Sequence, residues 1–90
     1  MRRVHLCISG DVQGVGYRGW VRGVARDMGL VGWEKNTDDD RVEVVAEGER
    51  EGLEELVTAC RQGPDVAWVE KIDVTWEKAT DELVGFEVVY

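Results

Sequence analysis

Apolar and polar residues alternate along several short stretches of the chain, and apolar residues recur at helical spacing along two others. Every second side chain between residues 3 and 9 is apolar, which predicts a strand with one buried face. The same alternation predicts further strands over residues 31–36, 41–47, 69–77 and 86–90. Spacings of three and four predict helices over 17–28 and 50–61. Gly19 and Gly23 weaken the first helix, and we interpret them as points of close packing on a strand.

The predicted elements follow one another as strand, helix, strand, strand, helix, strand, with a short strand at the end. This order is typical of the split βαβ, or ferredoxin-like, fold. We therefore expect an α+β sandwich in which two helices cover one face of an antiparallel sheet and leave the other face open. The length of 90 residues predicts a single domain, 1–90. Because this fold supports many unrelated functions, the function has to be inferred from a site.

The stretch between the first strand and the first helix, residues 10–18, contains three glycines and ends on an arginine. Glycine adopts positive φ, so such a turn can present several backbone N–H groups to an anion beside a helix N-terminus. Arg18 would add a planar, permanently charged fork that matches phosphate oxygens. The candidate phosphate cradle consists of Gly14, Val15, Gly16, Tyr17 and Arg18. P-loop spacing is absent, and on spacing alone an ordinary glycine-rich turn with a solvated arginine is slightly favoured.

Charge and cysteine content exclude several classes of function. The formal net charge of -8 argues against binding of nucleic acid or of an anionic membrane surface. No apolar run is long enough to span a bilayer and no signal-peptide pattern is present, so we expect a cytoplasmic protein. Cys7 and Cys60 fall on faces that are not expected to meet, which predicts two free thiols. His5 is the only histidine, and no paired-cysteine spacing predicts a metal site.

Two segments resemble the sequence motifs of the acylphosphatase family. Residues 8–18, ISGDVQGVGYR, are similar to the first signature, an aliphatic residue and any residue followed by G-x-V-Q-G-V-x-[FM]-R, with Tyr17 as the one departure. Residues 32–36, GWEKN, with Val42 and Gly48 after them, resemble the second motif. The last six residues, GFEVVY, are also similar to the family's usual ending.

The second motif contains two departures from the family pattern. Glu34 stands in place of a small or apolar residue, and Asp40 stands in place of a turn glycine. Aspartate tolerates left-handed backbone better than most residues, so we expect the turn to survive. Glu34 shares a strand face with Asn36. Its carboxylate is expected either to repel phosphate weakly or to be solvated or paired with a base, and the sequence favours neither.

The resemblance implies both the fold and a reaction. Members of the family hydrolyse acyl phosphates to a carboxylate and inorganic phosphate, without a metal cofactor or a covalent phosphoenzyme. Carried over by position, Arg18 would bind the phosphate together with the amides of residues 14–18, and Asn36 would hold the attacking water. A neutral amide orients a water without repelling a dianion. The resemblance thus implies catalytic roles for Arg18 and Asn36, with acyl phosphate and inorganic phosphate as small-molecule partners of a monomer.

Two alternatives stay open at this point. One is a non-catalytic anion-binding or interaction module with the same fold, and Glu34 and Asp40 are the features that favour it. The other is a hydrolase of a different phosphate ester, which the lack of an evident nucleophile disfavours. Gln13 is interpreted as loop support, and Arg22 and Arg26 as solvent-facing residues that pair with acids.

Overall fold

A computed structural model describes all 90 residues of the chain, Met1–Tyr90. Its elements are β1 (Arg2–Asp11), α1 (Tyr17–Asp27), β2 (Val31–Asn36), β3 (Val42–Gly48), α2 (Arg50–Gln62), β4 (Trp68–Lys78) and β5 (Phe86–Val88). The predicted order of elements is confirmed. The predicted bounds differ most at the end of β1, which continues to Asp11, and at the end of β5, which stops at Val88.

The five strands form one sheet in the order β4-β1-β3-β2-β5. β1 pairs antiparallel with β3 and β4, and β2 pairs antiparallel with β3. β5 pairs with β2 in parallel. The ferredoxin-like sandwich is confirmed, and its sheet is mixed because the chain reverses after β4 and crosses to the opposite edge. β2 and β4 run in opposite directions, so β5, which runs opposite to β4, is parallel to β2.

The core lies between the sheet and the two helices. Alternation along β1 buries Val4, Leu6 and Ile8 completely. The helices contribute Tyr17, Val21, Ala25, Leu53, Leu56 and Cys60 to the same core. Both cysteines are free thiols, as predicted. Neither α1 nor α2 is long and apolar enough to cross a membrane.

A buried carboxylate fixes the segment that crosses from β4 to β5. Glu47 of β3 is fully buried, and it accepts hydrogen bonds from the backbone N–H groups of Thr80 and Asp81 at 3.0 and 3.1 Å. Burial raises the pKa of Glu47, but these bonds, with those from the Thr80 hydroxyl and Arg3, outweigh it and leave the pKa lowered. The fixed crossing segment brings β5 alongside β2, the strand that carries Glu34 and Asn36.

The interpretation of the two helix glycines is wrong. Gly19 and Gly23 are exposed, and a Cβ atom at either position would meet no atom within 4 Å. They lie on the side of α1 that faces solvent, so no close packing requires them. Their conformational freedom therefore only weakens the helix.

Replacement of Gly23 by alanine is expected to raise the free energy of unfolding by about 0.5–1 kcal/mol, because alanine loses less backbone entropy in a helix. Gly32→Ala in β2 is the matched control, since its Cβ would lie 1.9 Å from the carbonyl oxygen of Val45. It should destabilise the fold by about 2 kcal/mol or more. Urea unfolding of both variants measures the two effects. A Gly23→Ala protein no more stable than the wild type would contradict the assignment of this helix face.

Candidate active site

The loop between β1 and α1 turns the chain through two glycines in left-handed backbone conformation. Gly14 has φ 76° and Gly16 has φ 80°. A Cβ at either position would meet no atom within 4 Å, so the requirement for glycine comes from the backbone angle and not from crowding. Successive turns of this kind form a concave run of amides, the geometry in which proteins bind anions.

The backbone N–H groups of this loop and of the first turn of α1 are free. Gly16 is the N-cap of α1, no side chain caps it, and no acidic residue lies in the first turn. The first backbone donor after the loop is Trp20, which bonds to the carbonyl of Gly16. The N–H groups of residues 14–19 pair with no protein acceptor. Together with the positive end of the helix dipole they make a site suited to an anion.

Arg18 supplies a cation at this helix end that no carboxylate neutralises by direct contact. Its side chain is half-buried and forms no salt bridge, and the guanidinium carbon lies 5.2 Å from the centroid of the Tyr90 ring. Arg22 and Arg26 of the same helix instead reach Glu87 at 3.6 and 3.0 Å. This pairing agrees with the interpretation of those two arginines from the sequence, and Arg18 alone keeps its fork unpaired.

Gln13 joins the loop to the hairpin between β2 and β3. Its side-chain N–H donates to the carbonyls of Thr37 at 3.1 Å and Arg41 at 2.9 Å, in agreement with a supporting role. Asp40 adopts φ 65°, and the N–H of Thr37 bonds to the carbonyl of Arg41 at 2.8 Å. The turn therefore survives the replacement of glycine, as expected from the sequence. Asn36 precedes this hairpin at the end of β2, and its side-chain oxygen is buried without a hydrogen-bond partner.

Tyr17 is the one departure from the first motif, and its hydroxyl has a structural role. Its ring is buried in the core, and its hydroxyl donates a 2.8 Å hydrogen bond to the carbonyl of Cys60 in α2. Burial raises the pKa of Tyr17, so the hydroxyl stays protonated and able to donate. The tyrosine thus ties α1 to α2 while only its backbone faces the loop.

Glu34 is the residue whose environment the sequence did not predict. It is 0% exposed, and neither carboxylate oxygen has a hydrogen-bond partner. The expectation that this carboxylate is solvated or paired with a base is wrong, because β2 turns this position toward the helices. Burial raises the pKa of Glu34 to about 8, although the charges of Arg18 and Arg22 act to lower it. The carboxyl group is therefore mostly protonated at neutral pH.

Side chains elsewhere offer no competing site of recognisable chemistry. No group of three or more His, Cys, Asp or Glu side chains is arranged to hold a metal ion. His5 lies 2.6 Å from Glu43 on the sheet, away from the loop between β1 and α1. One surface depression lies along the acidic side of α2, and a second lies beside Gln13 and Trp68. Neither includes Arg18 or Asn36, so the candidate site is an open cradle of backbone amides.

The chain is similar to known proteins over nearly its whole length. A family model described as Acylphosphatase matches residues 4–88. A curated acylphosphatase of Roseiflexus sp. (strain RS-1) is 48% identical over 90 residues, which covers 100% of this chain and 97% of that protein. The crystal structure of acylphosphatase from Bacillus subtilis matches with a TM-score of 0.96 and 38% identity, covering 100% of both chains. An acylphosphatase structure from Coxiella burnetii matches with a TM-score of 0.90 and 35% identity, covering 98% of this chain and 92% of that one.

The burial of Glu34 predicts a pH-dependent cost to stability. The unfolded glutamate loses its proton near pH 4.3, whereas the folded one keeps it to about pH 8. Between these pH values the folded state binds more protons than the unfolded state, so the contribution of Glu34 to the free energy of unfolding falls as the pH rises. Above about pH 8 this contribution no longer changes.

Glu34→Val should therefore be more stable than the wild type, with a gain that grows from about pH 5 to about pH 8 and reaches on the order of 5 kcal/mol. Chemical denaturation at several pH values measures this gain. Glu70→Val, at an exposed position of β4, is the control for strand propensity alone. Parallel stability curves for the wild type and Glu34→Val would show that Glu34 does not titrate abnormally.

Proposed function

Because the chain belongs to the acylphosphatase family and hydrolyses the carboxyl-phosphate bond of acyl phosphates, we propose that Arg18 and Asn36 carry out this reaction in the cradle at the start of α1. The observation that carries the proposal is the free cation beside free amides. Arg18 has no carboxylate partner, and the N–H groups of residues 14–19 have no protein acceptor. Both are the donors that a phosphoryl group needs.

The amides of Gly14, Val15, Gly16, Tyr17 and Arg18 bind the phosphoryl oxygens, and the Arg18 guanidinium adds two charge-assisted bonds. Water attacks phosphorus, the bond from phosphorus to the acyl oxygen breaks, and its electron pair leaves with the carboxylate. A carboxylate is a good leaving group, so the reaction needs little acid catalysis. Donors fixed before the reaction stabilise the developing charge without reorganisation, which is the main contribution asked of this site.

Asn36 positions the attacking water. Its side-chain amide can act as a hydrogen-bond donor or acceptor toward that water. Because the amide is uncharged, it does not repel the phosphate dianion. The proton of the attacking water passes to a phosphate oxygen of the substrate. The placement of water next to phosphorus turns a bimolecular step into one between preassembled groups.

The two departures from the second motif are compatible with this mechanism. Asp40 keeps the hairpin turn, and Glu34 is buried and mostly neutral at pH 7. The non-catalytic alternative drew its support from these two residues. We further propose that the protein acts in the cytoplasm as a monomer, with acyl phosphate as substrate and inorganic phosphate as product and inhibitor.

Arg18→Ala should lower kcat/KM by at least about a hundredfold, since a charge-assisted bidentate contact to the transition state contributes on the order of 3 kcal/mol. Arg18→Lys should also be impaired, because an ammonium group does not replace the planar fork. Steady-state hydrolysis of an aryl acyl phosphate measures both. Arg26→Ala on the same helix is the control, as Arg26 pairs with Glu87. A folded Arg18→Ala protein with unchanged kcat/KM would remove Arg18 from the mechanism.

Asn36→Ala should lower kcat while the inhibition constant for inorganic phosphate changes by less than about threefold, because water placement is lost and the cradle remains. The two constants are measured on the same preparation. If phosphate inhibition weakens in parallel with kcat, Asn36 binds phosphate or supports the fold and does not place water.

A further inference from the structure

The buried polar atoms that lack a hydrogen-bond partner are concentrated on β2 and α1. Four of the five such atoms in the chain are both carboxylate oxygens of Glu34, the side-chain oxygen of Asn36 and Nε of Arg22. Buried polar groups are nearly always paired in folded proteins, so a cluster of unpaired ones calls for a functional explanation. The proposed mechanism gives a role to the Asn36 side chain, whereas it gives none to Glu34.

The groups that interact electrostatically with Glu34 come from both helices, and its strand neighbours come from β3 and β5. α1 contributes the guanidinium groups of Arg18 and Arg22 and the hydroxyl of Tyr17, and α2 contributes the thiol of Cys60. The residues beside Glu34 on β3 and β5 are Val44 and Val88.

Only one of these groups changes charge within the usual range of assay pH. Burial raises the pKa of Tyr17 and raises that of Cys60 to about 12, so both remain neutral. Arginine stays charged throughout. Glu34 is therefore a buried group whose charge varies while the charges of two arginines that act on it stay fixed.

We propose that Glu34 is a positioning residue that sets the positive charge which Arg18 and Arg22 offer to phosphate, and that the cradle binds phosphate more weakly once this carboxyl group is ionised. The inference rests on the proposed function, because Arg18 has to be the phosphate ligand. When Glu34 is neutral, the positive charge of Arg18 is not offset by this carboxyl group and interacts fully with the phosphate. When Glu34 is ionised, its carboxylate competes with phosphate for the Arg18 guanidinium and also repels the phosphate. Both effects are weakly screened because Glu34 is buried.

Linkage requires the reverse effect as well. If the ionised carboxylate weakens phosphate binding, then bound phosphate favours the protonated carboxyl by the same factor. Phosphate binding should therefore draw a proton onto Glu34 near pH 8. A small or apolar residue at this position, as in the family motif, would give neither effect.

The test is the inhibition constant of inorganic phosphate between about pH 6 and pH 9 at fixed ionic strength. The wild type is compared with Glu34→Gln, which keeps the shape without the charge, and with Glu34→Val, which fills the site with an apolar side chain. The ionisation of phosphate itself affects all three proteins alike. We expect the wild type to lose about tenfold more affinity over this range than either variant. If Glu34→Gln does not fold, Glu34→Val makes the same comparison.

Glu87→Gln is the matched control, because Glu87 also lies near Arg22, at 3.6 Å, but has a side chain that is 59% exposed. Its profile should follow that of the wild type, since an exposed charge is well screened. If Glu87→Gln loses the pH dependence as the Glu34 variants should, a surface carboxylate is responsible and the proposal is overturned.

Isothermal titration of phosphate in two buffers with different heats of ionisation gives a second readout that a purely structural role would not change. Near pH 8 the wild type should take up more protons on binding than Glu34→Gln does. Coincident affinity profiles and equal proton uptake would overturn the role of Glu34 while leaving phosphate binding in place. Failure of the proposed function would look different, because Arg18→Ala would then bind phosphate as the wild type does.

Discussion

The two hydrogen bonds from the Gln13 side chain to the carbonyls of Thr37 and Arg41 hold the two halves of the site together. The loop before α1 carries the amides proposed to bind phosphate, and β2 carries Asn36 at its end. These segments are separated in the chain by the whole of α1. Mobile glycines in the loop would leave the distance between amides and Asn36 variable, and catalysis by placement fails when reacting groups are misplaced by about 1 Å. The hydrogen bonds of Gln13 join these two segments and so limit that variation.

An acidic chain can still present a cation to a dianion because its charges are segregated. The carboxylate of Glu87 pairs with both Arg22 and Arg26, and the first turn of α1 contains no acidic residue. Arg18 is left without a partner, and the only carboxyl group behind it is buried and mostly protonated at neutral pH. Charges on the rest of the surface lie in solvent and are screened within about 10 Å at ordinary ionic strength. The net charge of -8 therefore says little about the local potential at the cradle.

Local patterns were enough to predict the order of elements, whereas the proposed phosphate-binding residues came from the resemblance to the family motif. Left-handed turns require glycine at positions 14 and 16, and the alternation along the strands placed the core. Three features depend on contacts between distant segments and could not be predicted this way. They are the parallel pairing of β5, the bond from Tyr17 to Cys60, and the burial of Glu34. Glu34 shares a face of β2 with Asn36, but the apolar residues Val31 and Trp33 lie on the opposite face, and the general preference of glutamate for water also favoured exposure.

The burial of Glu34 destabilises the fold, and the groups around it determine by how much. An isolated carboxylate in an apolar core is strongly disfavoured, and here protonation removes most of that penalty. The remaining penalty comes from burying two carboxyl oxygens without hydrogen-bond partners. A well-packed apolar side chain at this position would not incur it. Arg18 and Arg22 reduce the cost of ionisation, and they lie where the proposed reaction needs positive charge. The stability of the fold and the affinity of the cradle for phosphate are therefore linked through one carboxyl group, so a change that relieves the first also alters the second.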